Sequence, residues 1–305
     1  MKIAFLLPWN QDIAYWTQWA DDNGIDGIEL LYSSHDLPVP YEFKPEEIKR
    51  ALEGKRVKIC ATTMFWINTI SKDPEERKQA RELNENTIKT ASAIGCPYAV
   101  LGTGCYEPKN LEKNIEEFRK EYEYLVELGK SMNVQVAWHI GHNPTFANSM
   151  PNMQALLKEF PDMKLKLDPV GIIRNLKSDP YHGLQVLGPH MVHMHFKDVL
   201  RLPEGEVEPP VGLGDIKWNN IIAILYDLGY EGYVAIEPHG PKWSKIENYD
   251  PYIRLSKRHI EQYLIYTTQG GAPRRGKEAA GRARKAGTAG NCVKVVSEWT
   301  RSGSV

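Results

Sequence analysis

Four short apolar runs between residues 134 and 237 each stop at a side chain able to bind a metal ion or move a proton. VQVAWH ends in His139, with His142 three residues on, and KLKLDP reaches Asp168. MVHMHFKD carries His193, His195, Lys197 and Asp198, and YVAIEPHG reaches Glu237 and then His239. Imidazole nitrogens and carboxylate oxygens are the donors that divalent Mn, Mg, Zn or Co ions take. His193 and His195 stand two apart and so share one face of a strand. Taken singly, an Asp before Pro is a common turn or cap residue, and a lone strand histidine is usually a hydrogen-bonded core residue. Glu237 after the apolar Tyr233–Ile236 is harder to place without a partner or a cation. Together, the four strand ends make His139, Asp168, His195 and Glu237 candidate ligands of one metal ion.

Such residues need a scaffold that brings successive strand ends to one rim. Strand-like runs are read at Lys2–Pro8, Gly27–Tyr32, Val57–Thr63, Tyr98–Gly102, Val134–His139, Lys164–Asp168, Met191–Phe196 and Tyr233–Glu237. Most are short and apolar without strict alternation, the mark of strands covered on both faces. Amphipathic helices are read between them at Ile13–Asn23, Pro45–Leu52, Pro74–Ile94, Leu111–Met132, Asn152–Phe160, Trp218–Leu228 and Pro251–Tyr266, with a weak one over 180–188. Eight strands alternating with roughly eight helices match an α/β fold of the (β/α)8 TIM-barrel type, spanning residues 1–266. A doubly wound sheet would offer a glycine-rich loop after its first strand. LLPWNQD contains no glycine.

Composition narrows the function classes. The chain has 305 residues, 42% hydrophobic and 25% charged, which is ordinary for a globular protein. No run approaches the ~20 apolar residues of a membrane span. The apolar N-terminal run stops at Asn10–Gln11–Asp12, too early for a signal peptide. The cytoplasm is the expected compartment. Four cysteines without a CxxC spacing read as reduced thiols. The net charge of −1 is uneven: residues 268–305 hold eight Lys/Arg against two acids, so the main body carries −7. An acidic body argues against a nucleic-acid groove. The Gly/Ala/Arg-rich segment 267–305 is expected to be disordered.

The stretch from HMHFKD (193–198) to VGLGDIKWNNIIAILYDLGYEGYVAIEPHG (211–240) resembles the xylose isomerase-like TIM-barrel family of sugar isomerases and epimerases. In that family an H-x-H-x-K-D strand end precedes a G-x-G-D-[IV]-x-W loop, a helix ending in GY(E/D)G, and a strand ending in a metal-binding Glu. The resemblance covers roughly residues 1–266. Carried over by position, it makes Asp168, His195 and Glu237 three of four metal ligands. The fourth is usually a Glu at the end of strand five, where this chain has His139. The family often has a substrate-contacting His three residues after the strand-six Asp, where this chain has Gly171.

The resemblance implies one divalent ion, Mn²⁺ foremost, with Mg²⁺, Co²⁺ or Zn²⁺ as alternatives. It also implies proton transfer next to the carbonyl of a ketose or related polyol, with Glu237 as one catalytic group; the imidazoles His139 and His142, at the strand-five end, are the other candidate catalytic groups of this chain. Trp9, Phe65, Trp66, His193 and Lys197 are candidate substrate contacts, the aromatics by stacking on a sugar face and Lys197 by binding hydroxyl or carboxylate oxygens. The exchange of a strand-five carboxylate for His139 opens a second reading. That reading is a lyase, either an inosose-type dehydratase or the catalytic subunit of a C-glycoside deglycosidase with a small partner subunit. A non-catalytic sugar-binding barrel is a third. The expected partner is a small sugar or polyol, with no nucleic acid or membrane; a homo-oligomer is compatible with this.

Overall fold

Lys2–Pro8 (β1) shows how the sequence builds the barrel. Alternate side chains Ile3, Phe5 and Leu7 pack outward with Trp16 and Trp19 of the first helix, while Ala4 and Leu6 belong to separate inner clusters. Both faces are therefore buried, and the strand reads as a continuous apolar run. The computed structural model describes residues 1–32, 42–141 and 145–265. The remaining barrel strands are β2 (Gly27–Leu31), β3 (Lys58–Met64), β4 (Tyr98–Gly102), β5 (Gln135–His139), β6 (Leu165–Leu167), β7 (Met191–Phe196) and β10 (Tyr233–Ile236). Their order around the closed barrel is β1-β10-β7-β6-β5-β4-β3-β2, every pair parallel. The expected (β/α)8 TIM barrel is the observed fold.

The helices between them are α1 (Ile13–Asp22), α2 (Pro45–Leu52), α3 (Pro74–Ala93), α4 (Leu111–Ser131), α5 (Met150–Glu159), α6 (Pro169–Arg174), α7 (Pro180–Leu187), α8 (Trp218–Asp227), α9 (Gly240–Trp243) and α10 (Tyr249–Glu261). Their starts follow from local chemistry. Asp12, Asp73, Asn110, Ser149 and Asp179 each turn a side-chain oxygen onto a free backbone N–H of the first turn, the usual N-cap arrangement. Gly24 follows the first helix at φ +63°, a conformation that costs glycine little.

Three features differ from the sequence reading. Asp168 lies just beyond β6, and PVGIIR after it forms the unanticipated helix α6, because Pro169 suits a first helical position. A small antiparallel hairpin, β8 (Leu200–Leu202) and β9 (Gly205–Val207), stands between β7 and α8, and its exposed Leu, Glu and Val gave no buried pattern to read. The last helix begins at Tyr249 and ends at Glu261. His142 and the segment 266–305 lie outside the described residues.

Candidate active site

Register decides which side chains meet. His139 on β5 pairs with Lys166 on β6, and Lys166 pairs with His193 on β7, so three polar residues run side by side across three strands. Lys166 Nζ lies 3.2 Å from His139 Nδ1. Where Lys166 is an ammonium it can only donate, so Nδ1 accepts and the ring's proton stands on Nε2. Phe65, just beyond β3, stacks on the His139 ring at 4.6 Å and 26°. Burial pushes the Lys166 ammonium below the ordinary lysine value, against the pull of Glu237, Asp168 and Glu29, because a low dielectric disfavours the charged form.

One strand over, His195, Lys197, Asp168 and Glu237 form a tight group. His195 Nδ1 is 2.9 Å from Glu237 Oε2, and Lys197 Nζ is 2.9 Å from both Asp168 Oδ2 and Glu237 Oε2. All four are buried. Burial alone would raise both carboxyls. Lys197 beside them instead holds Asp168 below and Glu237 well below the usual carboxylate range. Burial would likewise lower Lys197, and Asp168 and Glu237 carry it above the ordinary lysine value instead. Asp168 serves two ends: Oδ1 caps Val170 N at 2.9 Å while Oδ2 faces the ammonium. The residue caps α6 and faces the Lys197 ammonium at the same time.

Glu29 is the residue that sequence reasoning missed. It comes from β2, on another part of the barrel wall, and its Oε2 accepts from His193 Nε2 at 2.6 Å and His195 Nε2 at 2.7 Å. Thr63 donates to Oε1 at 2.6 Å. All four side chains are fully buried. Burial would raise the Glu29 carboxyl, and the neighbouring His195 and His193 hold it well below the usual range. His193 is lowered by burial, whereas His195 is raised by Glu29 and Glu237 against its burial. The signal was a single acid inside the apolar strand GIELL; Lys166, inside KLKLDP, was the second such signal.

Asp198 explains the long loop motif. Rather than pairing with Lys197, it accepts from the backbone N–H of Val199, Gly212, Gly214 and Ile216 and from Trp218 Nε1 at 2.8 Å. Gly214 is required because a Cβ there would lie 2.2 Å from Asp198 Oδ1. Gly212 has φ +91° and packs on the His259 ring. At the rim, Glu208 after the hairpin receives Arg174 from α6 and His239 Nδ1 at 2.7 Å, tying the loops that follow β6, β7 and β10 together.

The other expected contacts fall as follows. Phe65 is buried against His139, and Trp66 beside it adopts φ +68°, a strained conformation of the kind that concentrates at functional sites. Trp9 is half-buried beside a cavity of about 420 Å³ at the ends of β1 and β2, whose lining includes neither Asp168 nor Glu237. Gly171 sits over Asp168, where a Cβ would come within 3.4 Å of the aspartate Cβ.

Donor atoms of Asp168, His195 and Glu237 lie within 4.8 Å of one another, and the same holds for Glu29, His193 and His195. The first set, two carboxylates and an imidazole, fits a divalent ion. Lys197, on a flexible stem, stands against the same two oxygens and must release them for an ion to enter. The second set is closed by its own hydrogen bonds. His139 lies in neither set.

A barrel with buried acids, imidazoles and lysines at the C-terminal ends of its strands has the layout of a TIM-barrel enzyme. The chain belongs to the xylose isomerase-like TIM barrel family, whose model matches residues 17–262. Among curated proteins no relative matches the sequence. Several solved structures share the fold. The IOLI protein with a bound zinc atom is 17% identical at a TM-score of 0.70, over 86% of this chain and 98% of the other. D-psicose 3-epimerase from Clostridium cellulolyticum H10, solved with D-tagatose, is 18% identical at 0.66, over 86% and 98%. The probable 3-DHS dehydratase AsbF from Bacillus anthracis is 20% identical at 0.62, over 85% and 99%.

Proposed function

We propose that the protein is a divalent-metal-dependent isomerase or epimerase that transfers a proton next to the carbonyl of a ketose or related polyol. The observation that carries this reading is the convergence of Asp168, His195 and Glu237 at the barrel rim, with donor atoms within 4.8 Å. Asp168, His195 Nδ1 and Glu237 would hold the ion, which supplies Lewis-acid stabilisation of negative charge developing on the substrate oxygens. Manganese is the first candidate, with zinc, cobalt and magnesium as alternatives. The Glu237 carboxylate takes the proton from the carbon beside the carbonyl. Lys197, released from the two acids, binds substrate hydroxyl or carboxylate oxygens. His139, with Lys166 donating to Nδ1, would give an Nε2 proton to the substrate as the Lys166 ammonium passes its own proton to Nδ1 and becomes a neutral amine. The whole group is buried, which keeps water from competing for these protons.

A lyase is the second reading, and the His139–Lys166 pair favours it. With an imidazole and an amine where a second carboxylate would complete a two-base scheme, one base and one acid remain, which is the requirement of an elimination.

The test is incubation of the purified protein with a panel of ketoses and cyclic polyol ketones in D₂O, with Mn²⁺, Co²⁺ or Zn²⁺ and after chelation. Metal-dependent exchange of a carbon-bound hydrogen with conserved mass supports the isomerase, and loss of water supports the lyase. No exchange or elimination with any of these ions overturns both.

A further inference from the structure

We infer that Glu29 is a positioning residue that holds the His195 imidazole by Nε2, so that Nδ1 is the nitrogen turned toward Asp168 and Glu237. Glu29 serves the same site as the metal reading, but its role stands on hydrogen-bond geometry alone. Glu29 Oε2 is 2.7 Å from His195 Nε2. A carboxylate can only accept, so Nε2 carries the proton. On the other side of the ring Nδ1 lies 2.9 Å from Glu237 Oε2, also a carboxylate oxygen, so without an ion both ring nitrogens donate and the Nδ1 proton is the one an ion would displace. The orientation is then locked from three directions. His193 Nε2 donates to the same Glu29 oxygen at 2.6 Å, its ring standing nearly perpendicular to that of His195, at 81°. Thr63 occupies the other oxygen at 2.6 Å. None of the four groups is exposed to water, so no solvent molecule can replace Glu29 as the acceptor.

A ring held this way does not need to flip to present Nδ1; it gives up the Nδ1 proton and keeps the one on Nε2. Outer carboxylates of this kind orient a ligating imidazole, and their removal typically lowers metal affinity about 10- to 100-fold. Glu29 is fully buried, and its side-chain partners are Thr63, His193 and His195. It acts through His195, and His193 is its second anchor.

The experiment uses ¹⁵N-histidine-labelled full-length protein, with Zn²⁺ as the probe ion, and the variants Glu29→Gln and Glu29→Met. In the wild type, with or without Zn²⁺, His195 Nε2 should show a directly bound, slowly exchanging proton. Glu29→Gln keeps an amide oxygen as acceptor and should retain that signal. Glu29→Met should lose it and bind Zn²⁺ about 10- to 100-fold more weakly. A wild-type His195 lacking the Nε2 proton overturns the inference, whatever the folding of either variant. Folded Glu29→Met with an unchanged signal and Zn²⁺ affinity within about twofold overturns it as well. Wild type that binds no Zn²⁺, Mn²⁺ or Co²⁺ instead defeats the metal reading. The Nε2 proton of the metal-free protein still decides the role of Glu29.

Discussion

Lys197 Nζ lies 2.9 Å from Glu237 Oε2, and it reaches Asp168 Oδ2 at the same distance. One ammonium is therefore shared between two buried carboxylates that are also the candidate ligands of a divalent ion. Replacing it by methionine keeps the stem and removes the charge. Metal-free Lys197→Met should lose about 3–5 kcal/mol of stability, the usual cost of stranding a buried charge. Added Mn²⁺ or Zn²⁺ should then raise its Tm more than that of the wild type, because an ion takes the place of the ammonium. Equal Tm values for both proteins in chelator would count against this balance of charge.

The same charges set a pH window. Glu29, Asp168 and Glu237 all have folded-state carboxyls below their ordinary values. Their contribution is complete above the unfolded range of about 4–4.5 and is lost as pH falls through the lower folded values. Lys197 is raised above the ordinary lysine value. Its contribution is therefore complete below about 10.4 and is lost only as pH rises through its folded value. Denaturant melts of chelated protein should show stability falling on acidification below about pH 4.5. Glu237→Gln should flatten that fall; an identical acid limb in the variant would refute the assignment.

His139 faces Lys166 at 3.2 Å, outside the Asp168–His195–Glu237 group. His139→Gln should leave Zn²⁺ affinity within about twofold, since no ligand is lost. Turnover should fall by about 10²–10⁴, the worth of a general acid or base. Titration calorimetry and D₂O exchange measure the two quantities. A parallel fall in affinity would make His139 a fourth ligand after all.

Asp198 gathers five N–H donors from the loop that follows the hairpin and its flanks. Asp198→Ala should strand several of them at about 1–3 kcal/mol for each one left buried and unpaired. Hydrogen exchange of segment 211–218 should accelerate strongly while β1 and β2 stay protected. Unchanged protection of 211–218 would mean that the loop holds itself.

The order of strands and helices was legible because burial on both faces writes itself as short apolar runs, and because caps and glycines punctuate helices locally. The strand ends at Asp168, His195 and Glu237 were legible for the same reason: a polar residue closing an apolar run stands out. The hairpin after β7 was not, since its residues are exposed and carry no pattern. Neither was the partner of any of these groups. Glu29 and His195 are 166 residues apart, and only closure of the barrel brings β2 to face β7 across its inside. The pairing of His139 with Lys166 depends on register between β5 and β6, which sequence spacing does not encode. What the chain determined by itself was which residues reach the inside and the rim. Which of them touch, and so which nitrogen, oxygen or ammonium each presents, was decided by the curvature and stagger of the closed sheet.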